Sequence, residues 1–169
     1  CLFHEHEWEA PLLLDALRSD AFYVGALGSR QTHERRVETL RRVTDLFLYD
    51  APSYSEDQIA VFDDVFHCLI EQIETSAKAL LANRLAPISK APPNLMYTLA
   101  FDDVIEVAAP VLSHSERLND ETLIENARIK SQGHLLAISK RKILSDAVTD
   151  VLVERGCDGE SREGVDAEF

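Results

Sequence analysis

Two patterns of apolar positions divide the chain. At residues 21–27, AFYVGAL is a short unbroken apolar run, rich in aromatic and β-branched residues and stopped by Gly28 and Ser29, which is how a buried strand reads. CLFH at 1–4 reads as the end of an earlier strand. Pro11 suits the first turn of a helix carried by Leu12, Leu13, Leu14, Ala16 and Leu17. The order predicted for residues 1–40 is therefore β-α-β-α, a right-handed crossover whose narrow sheet needs further strands or a partner to cover both faces.

From Thr32 onward the spacing becomes helical. Val37, Leu40, Val43, Leu46 and Phe47 recur at three- and four-residue intervals among arginines and acids, predicting one long helix. After the turn DAPSYS, Ser55 followed by Gln58 is a capping-box pattern. Ile59, Phe62, Val65, Phe66, Leu69, Ile70 and Ile73 then form one apolar stripe. Shorter helices are predicted at about 75–85, 92–99, 102–113, 120–131, 134–139 and 145–155. Asp102 or Asp103, Asn119 or Asp120, and Ser145 or Asp146 supply their N-caps. Gly156 is placed just past a helix end, and Pro110 is expected to kink its helix or divide it in two.

Short helices at this density pack as an α-solenoid, each pair hiding its apolar face on its neighbours. LAFDDVIEVAAPVL at 99–112 and KILSDAVTDVLVERG at 142–156 echo one another, each with an acidic or Ser-Asp start before a Val/Ile/Leu-rich helix. The last residues, CDGESREGVDAEF at 157–169, hold little to bury and read as an acidic flexible tail. The predicted class is mainly α, a HEAT-like helical repeat array over about 41–156 preceded by a short β-α-β-α remnant.

Composition narrows the functions rather than the fold. With 30 acidic and 17 basic residues the net charge is −13, which repels phosphate backbones and anionic lipid, so neither nucleic acid nor membrane is an expected partner. No apolar run approaches the ~20 residues of a membrane-spanning helix, and no leader pattern opens the chain, so a cytoplasmic location is expected. Cys1, Cys68 and Cys157 are odd in number and widely spaced, the pattern of unpaired thiols rather than of a zinc or redox motif.

Two resemblances are carried by motifs rather than by composition. RRVTDLFL, YSEDQIAVFDDVF, LIEQIE, RLAPISKAPPN, LAFDDVIEVAAPVL, SERLNDETLIENARIKSQGHLLAIS and LSDAVTDVLVERG arrive in order over about residues 41–155 and resemble the bacterial domain of unknown function 2336. That resemblance implies a helical, HEAT-like fold and no established activity. CDGESREGVDAEF departs from the pattern, in which another helical repeat follows. FHEHEWEAPLLLDALRSDAFYVGALGSRQTHERR, over about residues 1–40, is similar to the C-terminal Rossmann-type domain of the xanthine dehydrogenase accessory (XdhC-like) family. That family is thought to handle the molybdenum cofactor before its insertion. Its early glycine-rich strand-turn-helix and the region bearing its cofactor-handling cysteine are missing here. The two segments meet near Thr39 and Leu40 like a fusion of unrelated coding segments.

The candidate chemistry is sparse. In the GALGS turn, Gly25, Gly28, Ser29 and Arg30 stand where a helix N-terminus could offer backbone N–H groups to a phosphate, although GxGxxG is not formed; the alternative is a tight turn packed closely through its glycines. HEHEWE sets His4 and His6 on one side of a strand without a third ligand, against the alternative of a solvated loop. His33, His67, His114 and His134 are scattered singly and read as surface or satisfied helix residues. FDD occurs at 62–64 and 101–103. Asp63 and Asp64 are assigned to a polar helix face, and Asp102 and Asp103 to capping and dipole compensation rather than acid-base work. KSQGH at 130–134, followed by SKRKI, is the one basic cluster, read as a helix C-terminus and turn rather than an anion site.

No catalytic residue, metal site or cofactor is expected from this inventory. A protein-binding or scaffolding role is the favoured function, with a partner protein of unspecified identity and an oligomeric state left open. The alternative is an accessory protein for a molybdenum enzyme that keeps a nucleotide or cofactor contact through Gly25, Gly28, Ser29 and Arg30.

Overall fold

The computed structural model describes residues 30–71 and 73–160. The strands predicted near 1–4 and 21–27, the helix after Pro11, and the tail from Ser161 lie outside the described residues. Within them, eight α-helices occur and no strand is assigned. The chain divides into two compact units, Cys1–Ile73 and Glu74–Phe169.

In the first unit, α1 spans Arg30–Asp50 and α2 spans Glu56–Ile70. The apolar spacing read in the sequence buries Leu40, Val43 and Phe47 on α1 and Ile59, Phe62, Phe66 and Ile70 on α2. The turn between them starts as a short 3₁₀ segment, Ala51–Ser53, with Pro52 near its start. Ser55 then caps α2. Its Oγ accepts from the Gln58 N–H at 3.3 Å while Gln58 Oε1 accepts from the Ser55 N–H at 2.9 Å, the capping box expected there.

The core of this unit is aromatic. The Phe47 ring meets Phe62 edge-on at 5.1 Å, and Tyr54 lies 5.2 Å from Phe62 with its hydroxyl donating to the Leu46 carbonyl. Burial, reinforced by Asp50, raises the Tyr54 pKa above its ordinary 10.0. Glu38 takes hydrogen bonds from Arg41 and Arg42, so exposed ion pairs cross the place where the two sequence resemblances meet without interrupting α1.

The second unit holds α3 (Thr75–Leu85), α4 (Pro93–Ala100), α5 (Ile105–His114), α6 (Asp120–Ile129), α7 (Gln132–Ser139) and α8 (Asp146–Glu160). Sequence neighbours pack from α3 to α5 and again from α6 to α8, and α5 packs on both α3 and α7 while α6 packs on α8. At the centre, Val107, Ala108, Val111 and Leu112 of α5 are completely buried. Gly133, near the start of α7, permits a close approach, because a Cβ there would meet Ile105 Cγ1 at 3.2 Å.

At Pro110, where a kink or a division was expected, the helix is not divided and runs over Ile105–His114 with Pro110 inside it. Three expectations are corrected. Neither Asp102 nor Asp103 is the N-cap of α5, since Val104 holds that position; Asp102 Oδ1 instead accepts from the Val104 N–H two residues on. Gly156 does not stop α8, which continues to Glu160 and takes Cys157–Glu160 out of the expected tail. Asp63 is not on a polar face: it is 2% exposed, while Asp64 beside it is solvated. The two segments that echo in sequence become α5 and α8, three elements apart, so the echo does not relate next-but-one neighbours.

Side chains, not only apolar packing, join each helix to the one two places on. Asn126 on α6 donates to the Ala100 carbonyl ending α4, at 2.8 Å. Arg141, just past α7, donates from Nη1 to Leu112 O and from Nη2 to Ser115 O at the end of α5, at 2.7 and 2.8 Å. Arg155 on α8 donates from its two Nη atoms to Arg128 O and Lys130 O at the end of α6. A fourth link runs from Arg117 Nε to Ala91 O at 2.7 Å. The last carbonyls of a helix have no partner within it, and a guanidinium is a rigid fork of donors that bridges two of them.

Leu112 and Ser115 are fully buried, so loss of their donor leaves polar atoms without water. Arg141→Met is therefore expected to lower stability by about 2–4 kcal/mol in urea denaturation, with Arg141→Lys restoring less than half because an ammonium cannot span both carbonyls with the same geometry.

Candidate functional site

Of the residues singled out for phosphate contact, Gly25, Gly28 and Ser29 lie outside the described residues, as do His4 and His6; Arg30 is the first residue of α1. The remaining candidates can be placed, and one group of them meets.

That group is built on the loop Phe101–Val104 between α4 and α5. Lys78 Nζ from α3 reaches Asp102 Oδ2 at 3.5 Å. Lys130, at the end of α6, pairs with Asp103 Oδ1. His134, on the first turn of α7 and only 1% exposed, sits 2.9 Å from the Asp102 carbonyl through Nε2 and 2.9 Å from Ser131 Oγ through Nδ1. A carbonyl only accepts, so Nε2 carries the proton and Nδ1 is left to accept from the Ser131 hydroxyl. The acids of FDD, the lysine and histidine of KSQGH, and Lys78 therefore form one polar knot that holds the loop against three other helices.

The knot satisfies the bland readings of these motifs in a way spacing did not anticipate. The Lys130 hydrogen bond, then its charge, holds the Asp103 carboxyl below its ordinary 3.8, against a smaller opposing effect of desolvation. Asp103 is largely solvated, so its pair with Lys130 is a positioning contact and not a large source of stability. Asn126 was not found by motif reading at all. It is fully buried, its Nδ2 bonded to Ala100 O and its Oδ1 left without a partner. Its only advance signal is an asparagine inside an apolar helical stripe, between Leu123 and Ala127.

Among the described residues no group of three or more histidine, cysteine or acidic side chains could hold a metal ion. Cys68 is a free, exposed thiol on α2. No described helix is long and apolar enough to cross a membrane.

The outward side of α6 is of a different kind. A depression of about 450 Å³ is lined by Glu121, Ile124, Glu125, Arg128 and Ile129, one face of that helix. Ile129 is 63% exposed. Tyr97 on α4 stacks on Phe101 with ring centres 4.5 Å apart and extends its hydroxyl to Glu125 Oε2 at 3.4 Å. Desolvation and the Glu125 charge raise the Tyr97 pKa. These residues can offer apolar contact and carboxylates to a partner, and no arrangement of a nucleophile with a base is present among them.

The described residues define a helical protein in which Asp102, Asp103, Lys130 and His134 hold a loop in place. Comparison with known families finds both families that the sequence resembles, but the first match begins well after residue 41 and includes residues 157–166, which the sequence reading took to depart from its pattern. The family model described as "Uncharacterised protein conserved in bacteria (DUF2336)" matches residues 107–166, from α5 onward. The model of the XdhC Rossmann domain matches residues 1–48, a stretch that runs into α1. No match was found among curated proteins or among solved structures.

Because Asp103 is held ionised by Lys130, its side-chain NMR signal is expected to titrate below 3.8, and Lys130→Met to move the midpoint upward. The sign for folding follows from the lowered pKa: the small stabilisation from this carboxylate is present above the unfolded pKa and is lost as pH falls through the folded one.

Proposed function

We propose that the chain is a HEAT-like helical repeat module that binds another protein and performs no catalysis itself. The observation that carries this reading is the next-but-one packing of α3 on α5, α5 on α7 and α6 on α8, with α6 tied to the end of α4 through Asn126. Linking side chains recur at separations of 25 to 29 residues. An array built this way hides each helix on its neighbours and leaves the outer surfaces of its rows for recognition. The titratable residues that spacing made suspicious, Asp102, Asp103 and His134, are occupied in holding loops. On this reading no cofactor is required, nucleic acid and membrane are not partners, and the protein works in the cytoplasm.

A second reading is favoured by one specific observation, the match of residues 1–48 to the XdhC Rossmann domain. There the chain is an accessory protein for a molybdenum enzyme, and Gly25, Gly28, Ser29 and Arg30 keep a nucleotide or cofactor contact.

Thermal denaturation with and without NAD or a molybdopterin dinucleotide separates the two. The binding-module reading predicts no change in melting temperature. A rise of several degrees, abolished by Gly28→Val, establishes the accessory reading in its place.

A further inference from the structure

We propose that the outer face formed by α6 and α8 is a docking surface for a basic amphipathic helix of another protein. This rests on the protein-binding reading above and gives it a location and a partner chemistry.

The apolar part of the surface is Ile124 and Ile129 on α6, with Val153 of α8 61% exposed. Helices α6 and α8 pack side by side, tied by the Arg155 guanidinium at the end of α6. Their solvent sides are acidic. Glu121 and Glu125 lie one turn apart on α6, and Asp146, Asp150 and Glu154 repeat at four-residue intervals on α8, all exposed. Among the described residues none of these five forms an ion pair, and Arg128 is the cation on the depression that Glu121 and Glu125 line.

Exposed carboxylates on α6 and α8, carried on the same helices as exposed Ile129 and Val153, favour an occupant with the complementary pattern, an apolar stripe flanked by lysine or arginine. A second copy of this chain is disfavoured by its own charge of −13 and by the same acids facing one another. Anionic lipid and nucleic acid are repelled for the same reason. The outer side of the α3/α5/α7 row contrasts with this surface. There the exposed Leu80 and Leu136 stand with Asn83, Arg84, Ser139 and Lys140.

The test uses the full chain and a fluorescein-labelled 18-residue Leu/Lys amphipathic peptide, followed by anisotropy at low and high salt, with a Leu/Glu peptide of the same apolar pattern as the comparison. The Leu/Lys peptide is expected to bind and the Leu/Glu peptide not to bind. Glu125→Lys/Asp150→Lys is expected to weaken binding by about tenfold or more, whereas the charge-matched Asp64→Lys/Glu71→Lys on α2 weakens it by less than about threefold. Ile124→Asp is expected to weaken it at both salt concentrations. All these positions are at or near the surface, and circular dichroism confirms that the variants fold.

Equal weakening by the two charge-matched variants, equal binding of the Leu/Glu peptide, or no binding of the Leu/Lys peptide overturns the proposal. Loss of Leu/Lys binding in Leu80→Asp/Leu136→Asp but not in Glu125→Lys/Asp150→Lys also overturns it, while leaving the protein-binding reading in place on the other row. A nucleotide-induced rise in melting temperature that Gly28→Val removes is the separate result that overturns that broader reading.

Discussion

The constraint on which the second unit depends is the fate of helix-end carbonyls. Its helices are only 8 to 15 residues long, so a large share of their backbone lies in terminal turns whose last carbonyls cannot be satisfied within the helix. Where such an end is buried by the next pair of helices, water cannot reach it either. Side chains arriving from two helices further along supply the missing donors: Asn126 for α4, Arg141 for α5 and Arg155 for α6. A positive group at a helix C-terminus also meets the negative end of the dipole, so the same contact satisfies hydrogen bonding and electrostatics together. Burial lowers the Arg141 pKa, and the charges of Asp120 and Glu116 oppose that shift, so the guanidinium stays charged where it is needed.

This arrangement also gathers several of the polar residues that the sequence singled out. The FDD acids, Lys130 and His134 converge, yet what they hold is the loop between α4 and α5 and the start of α7. Both ring nitrogens of His134 are engaged. The solvent sides of α6 and α8 carry exposed carboxylates, of which Glu125 accepts from the Tyr97 hydroxyl, together with exposed Ile129 and Val153.

Much of the fold was legible in advance because helical periodicity and cap chemistry are local. The stripe from Ile59 to Ile73, the Ser55–Gln58 box and the Asn119 cap all depend on residues three or four apart. What escaped were features decided by tertiary contact. Gly156 carries the usual stop signal, yet α8 continues through it. Pro110 is accommodated in α5, where flanking residues are buried on three other helices. Asp63 was assigned to solvent by its neighbour Asp64, and burial divides the pair. Arg141 and Arg155 look like ordinary surface charges in a sequence, because the carbonyls they meet are more than twenty residues away and carry no residue signature. The acids were visible in advance only as net charge; the helical registers set Glu121 and Glu125 on one face of α6, and Asp146, Asp150 and Glu154 on one face of α8. The matches to DUF2336 and to the XdhC Rossmann domain meet the described helices at α5 onward and at α1, and continuous helix runs through the point in α1 where the sequence resemblances change.

If donors from each helix truly complete the ends of the one two places back, α4 through α8 cannot open one at a time without stranding buried carbonyls. Native-state amide hydrogen exchange measured across low urea concentrations tests this most directly. The account predicts that core amides of α5, α6 and α7 share one opening free energy and one urea dependence. Separate values for each helix, with α7 opening while α5 stays fully protected, would contradict it.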